Sequence, residues 1–344
     1  MRDSILKIAV LFGGASEERD VSISSAAQVI KALRCAGHSV VAIDTSRGPL
    51  SPEDDALLLT SRIKDAPPPS CVSAQSPSTV FDLLRYRELT EADVAFLALH
   101  GGAGEDGTIQ AMLDLAGVPY TGSGHMGSAI AMNKNMTKRL FSSTGIRTPR
   151  WLMLPCDFDA IPRRVGYPLI VKPNRQGSTV GLSLVRTPDE LEDAVRVARR
   201  FDTQVMVEQY IAGRELTVGV LGAQALSVGE IVIEPGAIFD YRSKYQAGHV
   251  LEQFPANLPA ATLEAAQRIA LRAHALLELD GYSRTDLRLD AHGILWCLEV
   301  NTLPGMTATS LLPQSAAASG IAFPQLCEQI CLAGINRHQH QVLA

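Results

Sequence analysis

The chain has 344 residues, with 31 Lys and Arg against 36 Asp and Glu and a net charge of −5. A chain of this length is expected to form two or three domains that share clefts, and its acidic balance excludes a broad cationic surface for nucleic acid or anionic lipid. The six cysteines lack CxxC spacing, which is typical of a reducing compartment, and no apolar run approaches the ~20 residues that span a bilayer. We therefore expect a soluble, cytoplasmic protein with no nucleic-acid or membrane partner.

The first third of the sequence alternates short apolar strands with helical patterns. Strands are predicted at 7–12, 40–43 and 94–99, and a helix is predicted over 21–34. This β-α-β order favours a parallel sheet whose binding loops lie at the carboxyl ends of its strands. Between 44 and 93 the pattern weakens into Ser, Pro and charged residues, which predicts a surface excursion rather than a core element.

The remaining sequence predicts two further units that mix helices and strands. Their predicted helices cover 127–143, 188–201, 260–279 and 324–332, and their strands cover 169–172, 182–185, 205–208, 216–221, 227–233, 283–289 and 294–300. The predicted fold class is therefore α/β, with an N-terminal parallel-sheet domain (1–122) followed by two α+β domains (123–208 and 209–344).

Two glycine-rich loops follow predicted strands in the first unit. In GGASEERDVS (13–22), the glycines permit a tight turn before a helix, whose free N–H groups can face a small ligand. Glu18 has the simpler alternative role of a charge that complements the helix dipole. In HGGAGEDG (100–107), His100 ends a strand at the predicted ligand edge and is a site candidate, whereas capping of the next helix accounts for Asp106.

A third cluster, VKPNRQGSTVG (171–181), closes an apolar strand with Lys172. A lysine in this position is costly to bury unless it meets an anion, and the loop after it offers N–H and hydroxyl donors, including that of Ser178. The lysine precedes the glycines, so the cluster is not a Walker A loop. It predicts a hairpin that folds over nucleotide phosphates.

The fourth cluster combines Arg284 and Asp286 on one strand with Glu299 and Asn301 on the next. Alternate residues of a strand share a face, so a hairpin through residues 290–293 would bring the four side chains together. Three hard oxygen ligands suit Mg²⁺ on polyphosphate, and the arginine can stabilise negative charge on a carbonyl oxygen. The alternative is a salt-bridge ladder on the surface.

Six segments resemble, in order, motifs of the D-alanine–D-alanine ligase family of the ATP-grasp superfamily: GGASEERDVS, HGGAGEDGT, PYTGSG, VKPNRQGSTVG, YRSKY and EVNTLPGMTATSLLP. The resemblance covers nearly the whole chain. It implies an α+β ATP-grasp fold in which the second and third domains enclose the nucleotide and the first binds substrate. It also implies ATP-dependent ligation of two D-alanine molecules through an acyl phosphate, for peptidoglycan precursor synthesis, by a homodimer whose small-molecule partners are ATP and D-alanine.

The same resemblance implies the residues that bind ATP and metal. Adenine and ribose would contact the 208–211 hinge, and phosphates would meet three lysines. Two Mg²⁺ ions, for which Mn²⁺ can substitute, would share three ligands. The nucleotide set is Lys134, Lys172, Glu208, Tyr210, Ile211, Glu215 and Lys244, and the metal set is Asp286, Glu299 and Asn301. Without the resemblance, Lys134 would be interpreted as an ordinary exposed helix lysine.

The resemblance further implies two amino-acid subsites. Glu18 would hold the ammonium group of the first D-alanine, with Ser178 and Tyr245 linked to it by hydrogen bonds. Arg284 and the Gly305 N–H would form the oxyanion site. The carboxylate of the second D-alanine would bind Ser310, which is otherwise a possible helix cap.

Two alternatives stay open beside the dipeptide ligase. One is another ATP-grasp enzyme, such as a depsipeptide ligase that accepts a hydroxy acid, and the other is a binding module that kept the fold without catalysis. The complete set of arginine and metal ligands argues against the binding module. Tyr245 after Lys244 favours the dipeptide ligase, by family likeness. A lid over 241–253 is expected to exclude water from the acyl phosphate.

Overall fold

The structure is a computed structural model that describes residues 5–59, 77–232 and 251–342. Its first sheet has the strand order β3-β2-β1-β4, in which β1 runs parallel to β2 and β4 and β3 is antiparallel. The strands are β1 (Lys7–Phe12), β2 (Ser39–Asp44), β3 (Gly48–Pro49) and β4 (Val94–Leu97). The predicted parallel sheet is confirmed.

Outside residues 60–76, five helices are seen beside this sheet: α1 (Arg19–Cys35), α2 (Pro52–Leu58), α3 (Pro77–Asp82), α4 (Arg87–Thr90) and α5 (Thr108–Ala116). The predicted surface excursion over 44–93 is wrong at both of its ends, because Leu58, Leu83 and Leu89 are buried in the first core. Short helical segments turn these apolar side chains into the core. Each segment is too short for apolar residues to repeat at helical spacing, so the sequence pattern does not predict it.

The helix predicted over 127–143 is two helices, α6 (His125–Met132) and α7 (Lys134–Thr144). The break lies at Asn133, whose backbone is extended and whose side chain accepts a hydrogen bond from the Met136 N–H at 3.2 Å. Asparagine is a preferred N-cap because its side chain satisfies a free N–H of the first turn. The break makes Lys134 the first residue of α7.

The second sheet is antiparallel throughout, with the order β5-β8-β6-β7. Its strands are β5 (Trp151–Met153), β6 (Leu169–Pro173), β7 (Ser183–Val185) and β8 (Val205–Gln209), and its helices are α8 (Ala160–Arg164) and α9 (Leu191–Ala198). Val171, Val205 and Val207 lie in the core under these helices. Since strand side chains alternate, Lys172 and Glu208 lie on the opposite face.

The third sheet is also antiparallel, with the order β11-β10-β9-β12-β13. Its strands are β9 (Arg214–Leu221), β10 (Gln224–Val232), β11 (Leu251–Gln253), β12 (Tyr282–Leu289) and β13 (Leu295–Asn301), and α10 (Ala260–Leu276) packs on it. The predicted hairpin of β12 and β13 is confirmed.

Two helices follow, α11 (Leu311–Ala318) and α12 (Phe323–Val342). The last helix was predicted to end at Leu332, but it continues to Val342 and packs against α1. Its Leu326 and Ile330 share the first core with Val29 of α1. The domain boundaries at 122 and 208 stay a prediction. Among the described helices, none has the length and apolar character needed to cross a membrane.

Candidate active site

A pocket of about 170 Å³ lies where the three sheets approach one another. Each sheet contributes through loops and strand ends, and most of the predicted site residues line it. The predicted residues in this lining are Glu18, His100, Lys134, Lys172, Ser178, Glu208, Tyr210, Ile211, Glu215, Arg284, Asp286, Glu299, Asn301, Gly305 and Ser310. Lys244 and Tyr245 lie outside the described residues, as does most of the predicted lid.

The register of β12 and β13 explains how the fourth cluster comes together. Asp286 is paired with Glu299 and Arg284 with Asn301, and a shift in pairing follows Asp286. The shift makes Leu298 an extra residue on β13, so Leu298 lines the pocket beside Glu299. A β-bulge of this kind re-aims side chains next to a binding site.

Each acidic side chain of the cluster has partners in the protein. Arg284 donates to both carboxylate oxygens of Asp286, at 2.9 and 2.8 Å, and the Asn301 amide donates to Asp286 Oδ2 at 2.9 Å. Glu299 Oε2 lies 3.1 Å from Lys134 Nζ. The side chains of Arg284 and Asp286 are only 13% and 12% exposed, so their ion pair lies inside the pocket and does not form a surface ladder.

Two carboxylates and one amide are the predicted metal ligands. The described residues contain no cluster of three or more His, Cys, Asp or Glu side chains suited to a metal ion. The set nevertheless fits Mg²⁺ in kind, because Asp286 and Glu299 are cross-strand partners, whose Cβ atoms lie ~5 Å apart. Carboxylates on neighbouring strands can therefore share cations that also bind phosphate.

The anion that meets Lys172 is Glu208, at 2.6 Å from its ammonium group. A second lysine, Lys138, lies 2.6 Å from the other carboxylate oxygen and is fully buried. Burial raises the pKa of Glu208, but the charges and hydrogen bonds of the two lysines outweigh this effect and lower it. Sequence reasoning missed Lys138, and the only available signal was its spacing of four residues from Lys134.

Glu18 immediately precedes α1, but its side chain makes no capping hydrogen bond. It is 6% exposed and accepts a short hydrogen bond from the Ser178 hydroxyl. Its Oε2 has no hydrogen-bond partner in the described part of the chain. A Cβ at Gly177 would lie 2.7 Å from this oxygen, so glycine is needed for the loop to approach. A buried carboxylate oxygen that faces a pocket suits a cationic ligand.

The phosphate-binding loop predicted after Lys172 has unusual backbone geometry. Ser178 and Thr179 have φ values of 48° and 64°, a left-handed conformation that costs free energy for residues other than glycine. Lys134 reaches the same loop and donates to the Gln176 carbonyl at 2.7 Å. Since Lys134 is only 9% exposed, its interpretation as an ordinary exposed lysine is wrong.

His100 lies at the pocket wall and has two partners. Its Nδ1 lies 2.9 Å from the Leu303 carbonyl and its Nε2 lies 3.1 Å from the Ser25 hydroxyl. Burial lowers the pKa of His100. A neutral His100 thus fixes the loop that leads to Gly305, and its role as a substrate contact stays a prediction.

Sequence reasoning also missed Glu105 as a pocket residue, although it belongs to the HGGAGEDG motif. Glu105 is 8% exposed and accepts a hydrogen bond from the Gly101 N–H at 3.1 Å. Burial, helped by the charge of Glu18, raises the pKa of Glu105 from 4.5 to about 7. Asp106 accepts from the Thr108 N–H at the start of α5 at 3.0 Å, although Gly107 and not Asp106 is the N-cap residue of that helix.

The predicted adenine hinge, 208–211, lines the pocket. Glu215 forms an ion pair with Arg288 at 3.1 Å, and the guanidinium of Arg288 lies 5.8 Å from the centroid of the Tyr210 ring. Arg288 is a further residue that was missed. The signal was present, because Arg288 continues the alternation of Arg284 and Asp286 along β12.

Gly305 and Ser310 also line the pocket. Ser310 is the N-cap residue of α11, but its side chain makes no capping bond there and instead accepts from the Thr307 N–H at 3.1 Å. A Cβ at Gly305 would lie 2.8 Å from Ser310 Oγ. The two residues are therefore neighbours, as two adjacent substrate contacts require.

Comparison with known proteins agrees with this site. The family model described as D-ala D-ala ligase N-terminus matches residues 7–123, and the one described as D-ala D-ala ligase C-terminus matches residues 140–332. The chain belongs to the D-alanine–D-alanine ligase family. A D-alanine–D-alanine ligase of Nitratidesulfovibrio vulgaris (strain DP4) is 43% identical over 337 residues, which cover 96% of this chain and 99% of that protein. The ligase of Nitrosospira multiformis is 41% identical over 326 residues, with 94% and 95% covered.

Solved structures of D-alanine–D-alanine ligases share the fold. The enzyme from Bacillus anthracis complexed with ATP matches with a TM-score of 0.77 and 30% identity, covering 98% of this chain and 99% of that one. The enzyme from Coxiella burnetii matches with a TM-score of 0.79 and 28% identity, covering 98% and 96%. The family and the ATP-grasp fold predicted from the sequence are confirmed, whereas the individual roles of the site residues stay predictions.

Proposed function

We propose that this chain uses ATP to join two D-alanine molecules into D-alanyl-D-alanine, through an acyl phosphate, for the synthesis of peptidoglycan precursors. The observation that carries the proposal is a single pocket that combines an anionic anchor, a cationic phosphate site and a set of oxygen ligands. These are Glu18, Lys134 with Lys172, and Asp286 with Glu299 and Asn301. A pocket for nucleotide alone would need no buried carboxylate at the Glu18 end.

The first D-alanine is oriented by its ammonium group. Glu18 presents a buried oxygen without a hydrogen-bond partner in the described chain, and Ser178 holds the other oxygen in place. Binding of a cation there satisfies that oxygen with a charge-assisted hydrogen bond. The substrate carboxylate then lies towards Arg284 and the phosphate site, in line for transfer of the γ-phosphoryl group.

The phosphate site must offset the charge that accumulates during transfer. Lys134 and Lys172 supply ammonium groups, and Asp286, Glu299 and Asn301 would hold two Mg²⁺ ions, with Mn²⁺ as a substitute. Ions held by these residues would offset the negative charge of the phosphates. In the structure Arg284 neutralises Asp286 and Lys134 neutralises Glu299. The site therefore already holds two positive charges beside its carboxylates, and metal cations could replace them in the substrate complex.

The second step forms the peptide bond. The amine of the second D-alanine attacks the acyl phosphate carbon, the C–O bond to phosphate breaks, and inorganic phosphate leaves. Arg284 and the Gly305 N–H face the oxygen that becomes negative at this stage. Ser310, adjacent to Gly305, donates to the carboxylate of the incoming amino acid and fixes its approach.

Two finer points belong to the proposal. A homodimer is expected from the family, and so is a choice of amine over hydroxyl nucleophile, since a depsipeptide ligase shares the same fold. The residue expected to make that choice, Tyr245, lies outside the described residues.

The test is to incubate the protein with ATP, Mg²⁺ and one of D-alanine, D-lactate plus D-alanine, or L-alanine, and to identify products by mass. We expect ADP, phosphate and D-alanyl-D-alanine in equal amounts, and phosphate release only when D-alanine is present. Omission of Mg²⁺ should abolish all three products. Phosphate release that ignores D-alanine, without dipeptide, would exclude the ligase. A depsipeptide formed in preference to the dipeptide would favour the hydroxy-acid alternative.

A further inference from the structure

A buried charge cluster, here called the Lys–Glu–Lys triad, consists of Lys138, Glu208 and Lys172. Each lysine lies 2.6 Å from a different oxygen of the one carboxylate. Lys138 also donates to the Thr148 hydroxyl at 2.6 Å and lies 5.1 Å from the Trp151 ring centroid. Lys172 and Glu208 line the pocket, whereas Lys138 does not. Lys138 therefore acts behind the pocket wall.

The sequence places these groups by simple periodicity. Glu208 is the cross-strand partner of Trp151 on β5 and of Ile170 on β6, and Lys172 lies two residues beyond Ile170 on the same face. Residues four apart on a helix share a face, so Lys138 follows Lys134 along α7 towards the pocket. Helix α7 thus supplies both lysines: Lys134 lines the pocket, and Lys138 lies behind its wall.

The balance of charge in the triad is uneven. Two ammonium groups face one carboxylate, so the triad carries one surplus positive charge. Without Lys138, Glu208 and Lys172 would form a neutral pair, and Glu208 would hold Lys172 with its full negative charge. With Lys138 in place, Glu208 stays neutralised when Lys172 turns towards a phosphate.

On the basis of the proposed function, we propose that Lys138 is a positioning residue for ATP, which neutralises Glu208 from behind and thereby releases the charge of Lys172 to the nucleotide phosphates. A purely structural role explains the arrangement less well. Replacing buried ionic groups by apolar side chains of similar volume is often neutral or stabilising, so a second buried lysine is not needed to hold the fold.

The burial of Lys138 gives the proposal a second readout. Burial, together with the charge of Lys172, lowers the pKa of Lys138 from 10.5 to about 8, against the opposing effect of Glu208. The groups that face it are Glu208 from β8, Lys172 from β6 and Cys297 from β13. Burial keeps the Cys297 thiol neutral by raising its pKa. Affinity for ATP should therefore weaken as the pH rises through 8, because the surplus charge is lost.

The experiment measures the dissociation constant for ATP directly, by calorimetry with Mg²⁺, together with KM for ATP and kcat. Lys138→Met should raise the dissociation constant by on the order of 10-fold, as expected for loss of one nearby charge, with a smaller change in kcat. Lys138→Arg should keep near-normal affinity and should remove the weakening above pH 8, since arginine stays protonated. Arg139→Met is the matched control, because it removes an exposed charge from the same helix.

The double variant Lys138→Met with Glu208→Gln separates charge balance from packing. Because Glu208 is itself a predicted adenine contact, the double variant is compared with Glu208→Gln alone. In that background no carboxylate remains to be neutralised, so Lys138→Met should raise the dissociation constant by less than it does in the original protein. An unchanged constant in folded Lys138→Met, or an equally large effect of Lys138→Met in the Glu208→Gln background, would overturn the proposal. If Lys138→Met does not fold, an equal loss of affinity above pH 8 in the unaltered protein and Lys138→Arg would overturn it. ATP binding without dipeptide synthesis would instead count against the proposed function alone.

Discussion

Replacement of Glu18 by glutamine separates binding from stability more sharply than any other change in the pocket. Glu18→Gln keeps the oxygen that accepts from Ser178 but replaces the second oxygen with an amide donor. That second oxygen is buried and has no hydrogen-bond partner among the described residues. In the folded protein alone, the change removes an unpaired buried charge, so we expect the free energy of unfolding to stay equal or to rise.

In the substrate complex the same change should be damaging. A hydrogen bond to a charged group contributes ~1.5–3 kcal/mol, so the dissociation constant for the first D-alanine should rise by ~10- to 150-fold. The amide N–H that the substitution introduces would also face the substrate ammonium, which places the result towards the upper limit. Turnover should fall as well, because the substrate carboxylate loses its alignment.

Steady-state titration over a wide range of D-alanine, fitted to two sequential constants, measures the binding effect, and denaturant unfolding measures stability. Glu17→Gln is the matched control, since it removes a charge from the neighbouring residue, which does not line the pocket. The reasoning would be refuted by an unchanged first-site constant. It would also be refuted by a loss of stability equal to the loss of affinity, because Glu18 would then be a structural residue.

Three further predictions concern the rest of the pocket. Glu299→Gln should slow turnover at least ~100-fold, or about 3 kcal/mol at the transition state, and near-normal turnover would contradict the metal assignment. Ser310→Ala should raise mainly the second-site constant, by ~10- to 100-fold, and an equal effect on the first would contradict the division into subsites. For Glu105, whose pKa is raised from 4.5 to about 7, the folded state binds more protons than the unfolded state between these values. Its contribution to stability is therefore lost as pH rises through that window, and unfolding of Glu105→Gln from pH 4.5 to 8 should show a flatter profile. An unchanged profile would show that folding does not raise the pKa of Glu105.

That the predicted metal ligands lie together could be foreseen from the sequence, because strand periodicity is simple. Arg284 and Asp286 alternate on one strand, Glu299 and Asn301 on the next, and a short turn forces them to pair. The bulge at Leu298 could not be predicted, because an extra residue in a strand leaves no mark in an alternating pattern.

The buried lysine Lys138 could not be identified from the sequence for a different reason. Lysine in a polar helix is normally exposed, and only the tertiary approach of β8 brings Glu208 to it. Asn133 is a preferred N-cap residue type, but one asparagine within a helical pattern does not by itself show where a helix is interrupted. Local patterns thus predicted the elements, whereas long-range charge partners and one helix boundary required the fold.

The packing of α12 against α1 affects how the protein is completed during synthesis. The first sheet emerges early from the ribosome, yet its core includes Leu326 and Ile330 from the last helix, and His38 meets Glu328 at 3.1 Å. Contacts between such distant parts of a chain form late and slowly. The apolar face of the first sheet therefore stays uncovered until the last helix has been synthesised and packs on it. Truncation at the C-terminus should then destabilise the N-terminal sheet first.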